Sequence, residues 1–161
     1  MLFRSGRAFT PGGNLNRWEV LDTGIKLGAI AHAGTLMSWV KLEPAPTAAR
    51  SVKVAPTAPV FSAGEGATAF RLAAPQTLGR WQHLAAVLRH GAVTLYLDGQ
   101  ESGSAPAPAA SELESTIRIG SFGKKEFVSG LLDEVRIWDR ALAPAEIIAI
   151  YSREKPKEEK R

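Results

Sequence analysis

The most constraining feature of this chain is the stretch from Trp81 to Ser102, where two strand-length runs are separated by His90-Gly91 and closed by Asp98-Gly99. Glycine takes positive φ without steric cost and Asp tolerates it, so both dipeptides favour tight hairpin turns. Trp81 to Arg89 and Val93 to Leu97 therefore read as consecutive antiparallel strands of a meander. Such strands present an apolar face that another layer must cover, which points to a layered β fold.

The rest of the chain repeats this punctuation. Trp18 and Val20 share a strand face, and Ile25 and Leu27 resume after a predicted turn at Thr23-Gly24. Leu36 to Leu42 is bounded by Gly34 on one side and by Pro44 and Pro46 on the other. Pro44, Pro46 and Pro56 lack the N–H that a ladder needs, so residues 44–59 read as a loop with short edge pairing. Val60-Phe61-Ser62 and Ala69 to Leu72 flank Gly64-Glu65-Gly66 as a hairpin. A loop rich in Pro, Ala and Ser is expected over 103–111, followed by strands at Thr116 to Gly120 and Leu131 to Trp138. One helix is expected from Pro144, since proline suits the first helical position, Glu146 complements the amide dipoles, and Leu142 is spaced to pack on Ile147. It should fade near Ser152. Residues 1–17 read as a leading arm able to supply an edge strand, 18–152 as one domain, and 153–161 as a charged, disordered tail.

A length of 161 residues with 45% hydrophobic and 22% charged residues fits one globular domain. The absence of cysteine removes disulfides, thiolate nucleophiles and thiolate metal sites. Arg4 and Arg7 interrupt the opening residues too early for a secretory signal, and no apolar run approaches the roughly 20 residues of a membrane helix. Of the net charge of +4, half falls in residues 153–161, where five basic residues oppose three acidic ones. Elsewhere basic residues are scattered among acids and do not interleave with aromatics, so no nucleic-acid partner is expected.

The C-terminal half resembles the laminin-G-like jelly rolls of the concanavalin-A-like lectin/glucanase group, which also includes pentraxins. Four pieces carry the resemblance in the family's order. Trp81-Gln82-His83-Leu84-Ala85 looks like its W-x-H-[LIV]-A segment, and Leu95-Tyr96-Leu97-Asp98-Gly99 follows at the usual interval. Ile117-Arg118-Ile119-Gly120 looks like its I-x-I-G strand. Phe127 to Leu142, with Gly130, Asp133, Glu134 and Trp138, resembles its closing segment, including the downstream Glu146-Ile147. In the N-terminal half only Leu36 to Lys41, around Trp39, is similar, and the interval from Trp39 to Trp81 is short for the family. The resemblance implies an all-β, antiparallel two-sheet jelly-roll sandwich with one short C-terminal helix. Trp39, Trp81 and Trp138 with their aliphatic companions are expected at the centre of its facing layers.

It also implies a non-catalytic recognition or adhesion module, extracellular or at a cell surface, that binds a glycan or protein partner through rim loops or the concave sheet. The alternative is a structural spacer or assembly domain of a larger chain or complex, with a degenerate glycoside hydrolase a distant third. Related glucan hydrolases place two carboxylates on one side of a strand. Here Asp133 and Glu134 are adjacent and alternation sends them to opposite faces, Asp133 among Leu131, Val135 and Ile137. Asp133 is expected to tie down backbone N–H groups, Glu134 to pair with Arg136 across strands, and His83 to be a satisfied core histidine. Calcium is the one cofactor the resemblance raises, with Asp22, Asp98 and Glu65 as conceivable ligands. Trp18, Phe122 and Phe127 are the loop-proximal aromatics available to a ligand.

Overall fold

The computed structural model describes residues 3–5, 21–42, 53–54, 60–63, 70–73, 77–106, 116–119, 121–122, 126–127 and 130–154. Its strands are β1 (Phe3–Ser5), β2 (Leu21–Lys26), β3 (Ala33–Leu42), β4 (Lys53–Val54), β5 (Val60–Ala63), β6 (Phe70–Ala73) and β7 (Trp81–Arg89). They continue as β8 (Ala92–Leu97), β9 (Gln100–Pro106), β10 (Thr116–Ile119), β11 (Ser121–Phe122), β12 (Glu126–Phe127) and β13 (Gly130–Trp138), before helix α1 (Pro144–Glu154). The large sheet pairs its strands antiparallel in the order β1, β13, β3, β7, β8, β9. Shorter antiparallel pairs, β2 with β10, β5 with β6 and β11 with β12, accompany it, and β4 joins β12 in a two-residue parallel contact. The architecture is the expected antiparallel two-sheet jelly-roll sandwich with one short C-terminal helix.

Both predicted tight turns form. His90 and Gly91 have φ of 48° and 76°, and Asp98 and Gly99 have 50° and 82°, the paired positive values that match the twist of two-residue hairpins. The hairpin read from Val60 and Leu72 is the β5–β6 pair. Part of the leading arm is an edge strand, β1, laid along β13.

The large sheet is apolar on both faces. Leu84, Ala86, Leu88, Val93, Leu95 and Ile137 meet Ile25, Leu27, Ile30 and Ile117 of the opposing layer. On the reverse face Met37, Ala85, Val87 and Tyr96 pack with Trp138, Leu142, Ile147 and Ile150, so α1 covers a sheet surface that would otherwise meet water. Double coverage explains why β7 is buried almost continuously from Gln82 to Leu88, like the central strands of sheets covered on two sides.

Several expectations need correction. Trp39, Trp81 and Trp138 do not sit between the sheets: register places them on the face that α1 covers, with Met37 and Ala85. Thr23-Gly24 is not a turn. β2 runs through it with Gly24 at φ 68° in an irregular stretch opposite β10, held by the Thr23 hydroxyl donating to the Ile117 carbonyl at 2.8 Å. The loop expected from 103 starts later, because β9 continues to Pro106 against β8. The helix extends through Arg153 and Glu154, two residues assigned to the tail. Trp18, Glu65 and Gly120 lie outside the described residues.

Candidate functional site

The helix-covered face is organised by cross-strand rows. Asp133, Trp39 and His83 align across β13, β3 and β7, and Tyr151 of α1 lies over this row. The Trp39 ring meets His83 edge-on at 5.2 Å and stacks with Tyr151 at 5.6 Å, geometries worth about 0.5–1.5 kcal/mol each beyond area burial. Gly99 makes room for the same tyrosine: a Cβ there would approach Tyr151 Cδ1 to 3.2 Å. His83 is buried as expected but not satisfied, since neither its Nδ1 nor Trp39 Nε1 has a hydrogen-bond partner among the described residues. Burial disfavours the imidazolium and outweighs the attraction of Asp98 and Glu154, lowering the His83 pKa to about 4.

Beside this row, β13 carries a bulge. Its register advances three residues, Asp133 to Arg136, while β3 advances two, and Glu134 takes φ 47°. The extra residue resets alternation, so Asp133 shares the α1 face with Arg136 and Trp138, and not with Val135 and Ile137 as simple periodicity predicts. Asp133 does tie down backbone, its Oδ1 accepting the Glu134 N–H at 2.7 Å. Arg136 pairs with Glu134 within its own strand across the bulge rather than with another strand, and its other nitrogen reaches Glu154 near the end of α1, both at 2.5 Å. The Arg136 side chain is only 6% exposed and its two carboxylate partners are partly buried, so this is not a solvated face. Burial alone would raise the Glu154 pKa, but hydrogen bonds from Arg136 and Arg153 hold the carboxyl below its usual range.

At the rim, Asp98 is committed to its own turn. Its Oδ1 accepts the His83 N–H at 2.9 Å, its N–H donates to the His83 carbonyl at 2.8 Å, and Arg80 stands 3.9 Å from Oδ2. Among the described residues no group of three or more His, Cys, Asp or Glu side chains is arranged to hold a metal ion. Asp22 lies on β2 opposite Arg118, and Phe122 and Phe127 lie on β11 and β12, but their side chains fall outside those described. The backbone of Gly130 starts β13 opposite Leu42.

One row beyond the helix, Leu131, Lys41 and Trp81 align across β13, β3 and β7. All three are half-buried, as is Asp133 on the neighbouring row. The adjoining turn exposes Leu78 and Arg80 and is fastened by the Gly79 N–H donating to the Leu42 carbonyl at 2.7 Å. Sequence reasoning singled out Trp81 and expected Arg136 to pair with Glu134, but it gave no role to Lys41, Tyr151 or Glu154, because their placement depends on the bulge and on where α1 docks. The strand alternation of Lys41 with Trp39 was the one available signal.

A laminin-G-type family model, described as the concanavalin A-like lectin/glucanases superfamily, matches residues 22–148. The chain belongs to this superfamily. No curated protein matches it at a significant level. Among solved structures, the native heptameric SAP-like pentraxin of Limulus polyphemus superposes with a TM-score of 0.61 at 18% identity, over 89% of this chain and 80% of the pentraxin. Domain 4 of an extracellular arabinanase from Geobacillus stearothermophilus, solved with arabinotriose, gives a TM-score of 0.53 at 20% identity, over 91% of this chain and 88% of that domain. The sialidase of Trypanosoma rangeli gives 0.56 at 18% identity over 76% of this chain, which spans only 23% of the sialidase. At these identities the likeness establishes the lectin-type fold of this superfamily member.

Proposed function

We propose that this laminin-G-like domain is a non-catalytic recognition module whose ligand is a glycan. The reading is carried by one observation: a lectin-type sandwich that keeps a tryptophan, Trp81, only partly buried at the start of a strand in its large sheet. An indole held by a β ladder offers a flat apolar surface at little entropic cost, beside polar groups able to bond hydroxyls. The arabinotriose-bound domain of the arabinanase shows the same fold accompanying a saccharide, and the sialidase carries it alongside other sequence. The two acidic residues nearest a hydrolase-like arrangement are otherwise employed: Glu134 neutralises Arg136, and Asp133 holds the bulge. A glycosidase needs both carboxyl groups facing one bond about 5–10 Å apart, with freedom to exchange protons.

A glycan array probed with the whole chain tests the proposal. Binding to a saccharide class supports it, whereas an empty array together with a purified protein ligand rejects the lectin reading. The competing function, a spacer in a larger assembly at a cell surface, predicts concentration-dependent self-association by light scattering without any glycan.

A further inference from the structure

We propose that the row formed by Leu131, Lys41 and Trp81, with Asp133 beside it, is a binding site for a neutral oligosaccharide. This assignment rests on the reading of the domain as a glycan-recognition module and gives that reading a location and a ligand class. The resemblance implied binding through rim loops or the concave sheet; the site proposed here is a sheet-face one, on the side of the large sheet that α1 packs against, one row past the residues that Tyr151 covers.

Three features argue for this occupant. First, the row crosses three hydrogen-bonded strands, so its side chains span two strand spacings, on the order of 10 Å, on a platform that cannot deform without breaking the ladder. Second, the platform mixes an apolar ring and an aliphatic side chain with separate polar groups, the pattern that suits a sugar's apolar ring face and peripheral hydroxyls. Third, the charges balance. Lys41 has no ion-pair partner among the described residues, and Asp133 uses only Oδ1 internally, which leaves one donor cation and one acceptor oxygen on diagonally neighbouring positions of β3 and β13. A hydroxyl both donates and accepts, so it can satisfy the two at once. An anionic ligand would meet the Asp133 carboxylate and a cationic one would meet Lys41, so the patch favours a ligand without net charge. Arg80, the other cation of this corner, is drawn toward Asp98 at 3.9 Å.

The test titrates the intact chain with arabinotriose, xylotriose and maltotriose, and separately with anionic sialyllactose, following the indole N–H resonances of its four tryptophans. The expected result is a selective shift of the Trp81 resonance with a neutral trisaccharide. Binding should weaken about tenfold or more in Trp81→Ala, recover in part in Trp81→Phe, and fall several-fold in Lys41→Met. Trp81→Phe keeps an aromatic ring in the strand and guards against loss by misfolding. If a trisaccharide binds Trp81→Ala as tightly as the parent chain, this location is overturned while the glycan reading stands. Preference for sialyllactose at Trp81 overturns the neutral class. No trisaccharide binding overturns the site, and an empty glycan array overturns the recognition reading beneath it.

Discussion

At the residue scale, His83 shows how a motif position can serve the fold through its cost. Its backbone is useful, exchanging hydrogen bonds with Asp98 to close the β8–β9 turn, whereas its imidazole is buried with Nδ1 unpartnered. With the folded pKa near 4 and the ordinary value near 6.5, the unfolded chain binds more protons between these limits. Stability is therefore fully present above about pH 6.5 and falls as the pH drops toward 4, by about 3 kcal/mol in all for this one group. Melting temperature measured across this window should decline in the parent chain. His83→Phe, which keeps an aromatic ring against Trp39 and Tyr151, should flatten the decline; an unchanged slope would show that other groups cause it. The carboxyl of Glu146, with its pKa lowered to about 2 by Arg140 and the Ala143 N–H, loses its contribution only at lower pH, below about 4.5. The two groups thus act in separable ranges.

At the element scale, the question is how α1 is fastened to the sheet. Its N-terminus is well specified: the Glu146 carboxylate accepts the Ala143 N–H at 2.8 Å and a bidentate pair of bonds from Arg140, while Leu142 and Ile147 pack in one cluster. The attachment itself is made by Thr35. Its hydroxyl donates to the Arg140 carbonyl and accepts the Leu142 N–H, both at 2.9 Å, and the residue is fully buried on β3. Thr35→Val keeps the shape and leaves both backbone groups without a partner, a loss of about 2–4 kcal/mol. Chemical denaturation should show that loss with little change in slope, and Thr35→Ser should recover most of it. A second tight fit lies nearby at Gly34, where any Cβ would fall on the Ile30 side chain and backbone, so β3 can pass that turn only with glycine. The far end of the helix is held differently, by Tyr151 over Trp39 and by Glu154 on Arg136. Removing one partner of such a buried pair leaves the other charge stranded, which costs more than the pair contributes.

At the scale of the whole molecule, α1 acts as a third layer on a two-sheet fold. Without it Met37, Ala85, Val87, Tyr96 and the Trp39–His83 pair would form a contiguous apolar surface on the large sheet, larger than soluble domains ordinarily expose. A chain ending at Ala143 should retain strand-dominated circular dichroism but bind a hydrophobic dye and aggregate at concentrations where the full chain is monodisperse. Retained solubility with no dye binding would show that the helix is dispensable. This layering also bears on the proposed saccharide site. The helix packs over the Trp39–His83 row, and the next row, Leu131, Lys41 and Trp81, is half-buried.

Much of this was legible in the chain before any coordinates. The strands of the meander, both glycine turns, the β5–β6 hairpin and the start of α1 follow from local preferences, because turn φ, proline placement and helix capping are decided by neighbours in sequence. The family resemblance gave the sandwich. Which face each tryptophan occupies was not legible, since period-two alternation puts Trp39 with Met37 and Trp81 with His83 and Ala85 within their own strands but does not say which layer covers either face. Nor was the bulge at Glu134, which turns Asp133 toward Arg136 instead of Ile137, because a one-residue register shift leaves no mark in an ordinary strand pattern. The elements were thus determined by sequence-local physics. Their partners, the Arg136 triad, the buried histidine and the half-buried row at Trp81 were decided only in three dimensions, where strands and helix distant in the chain are brought against the same surface.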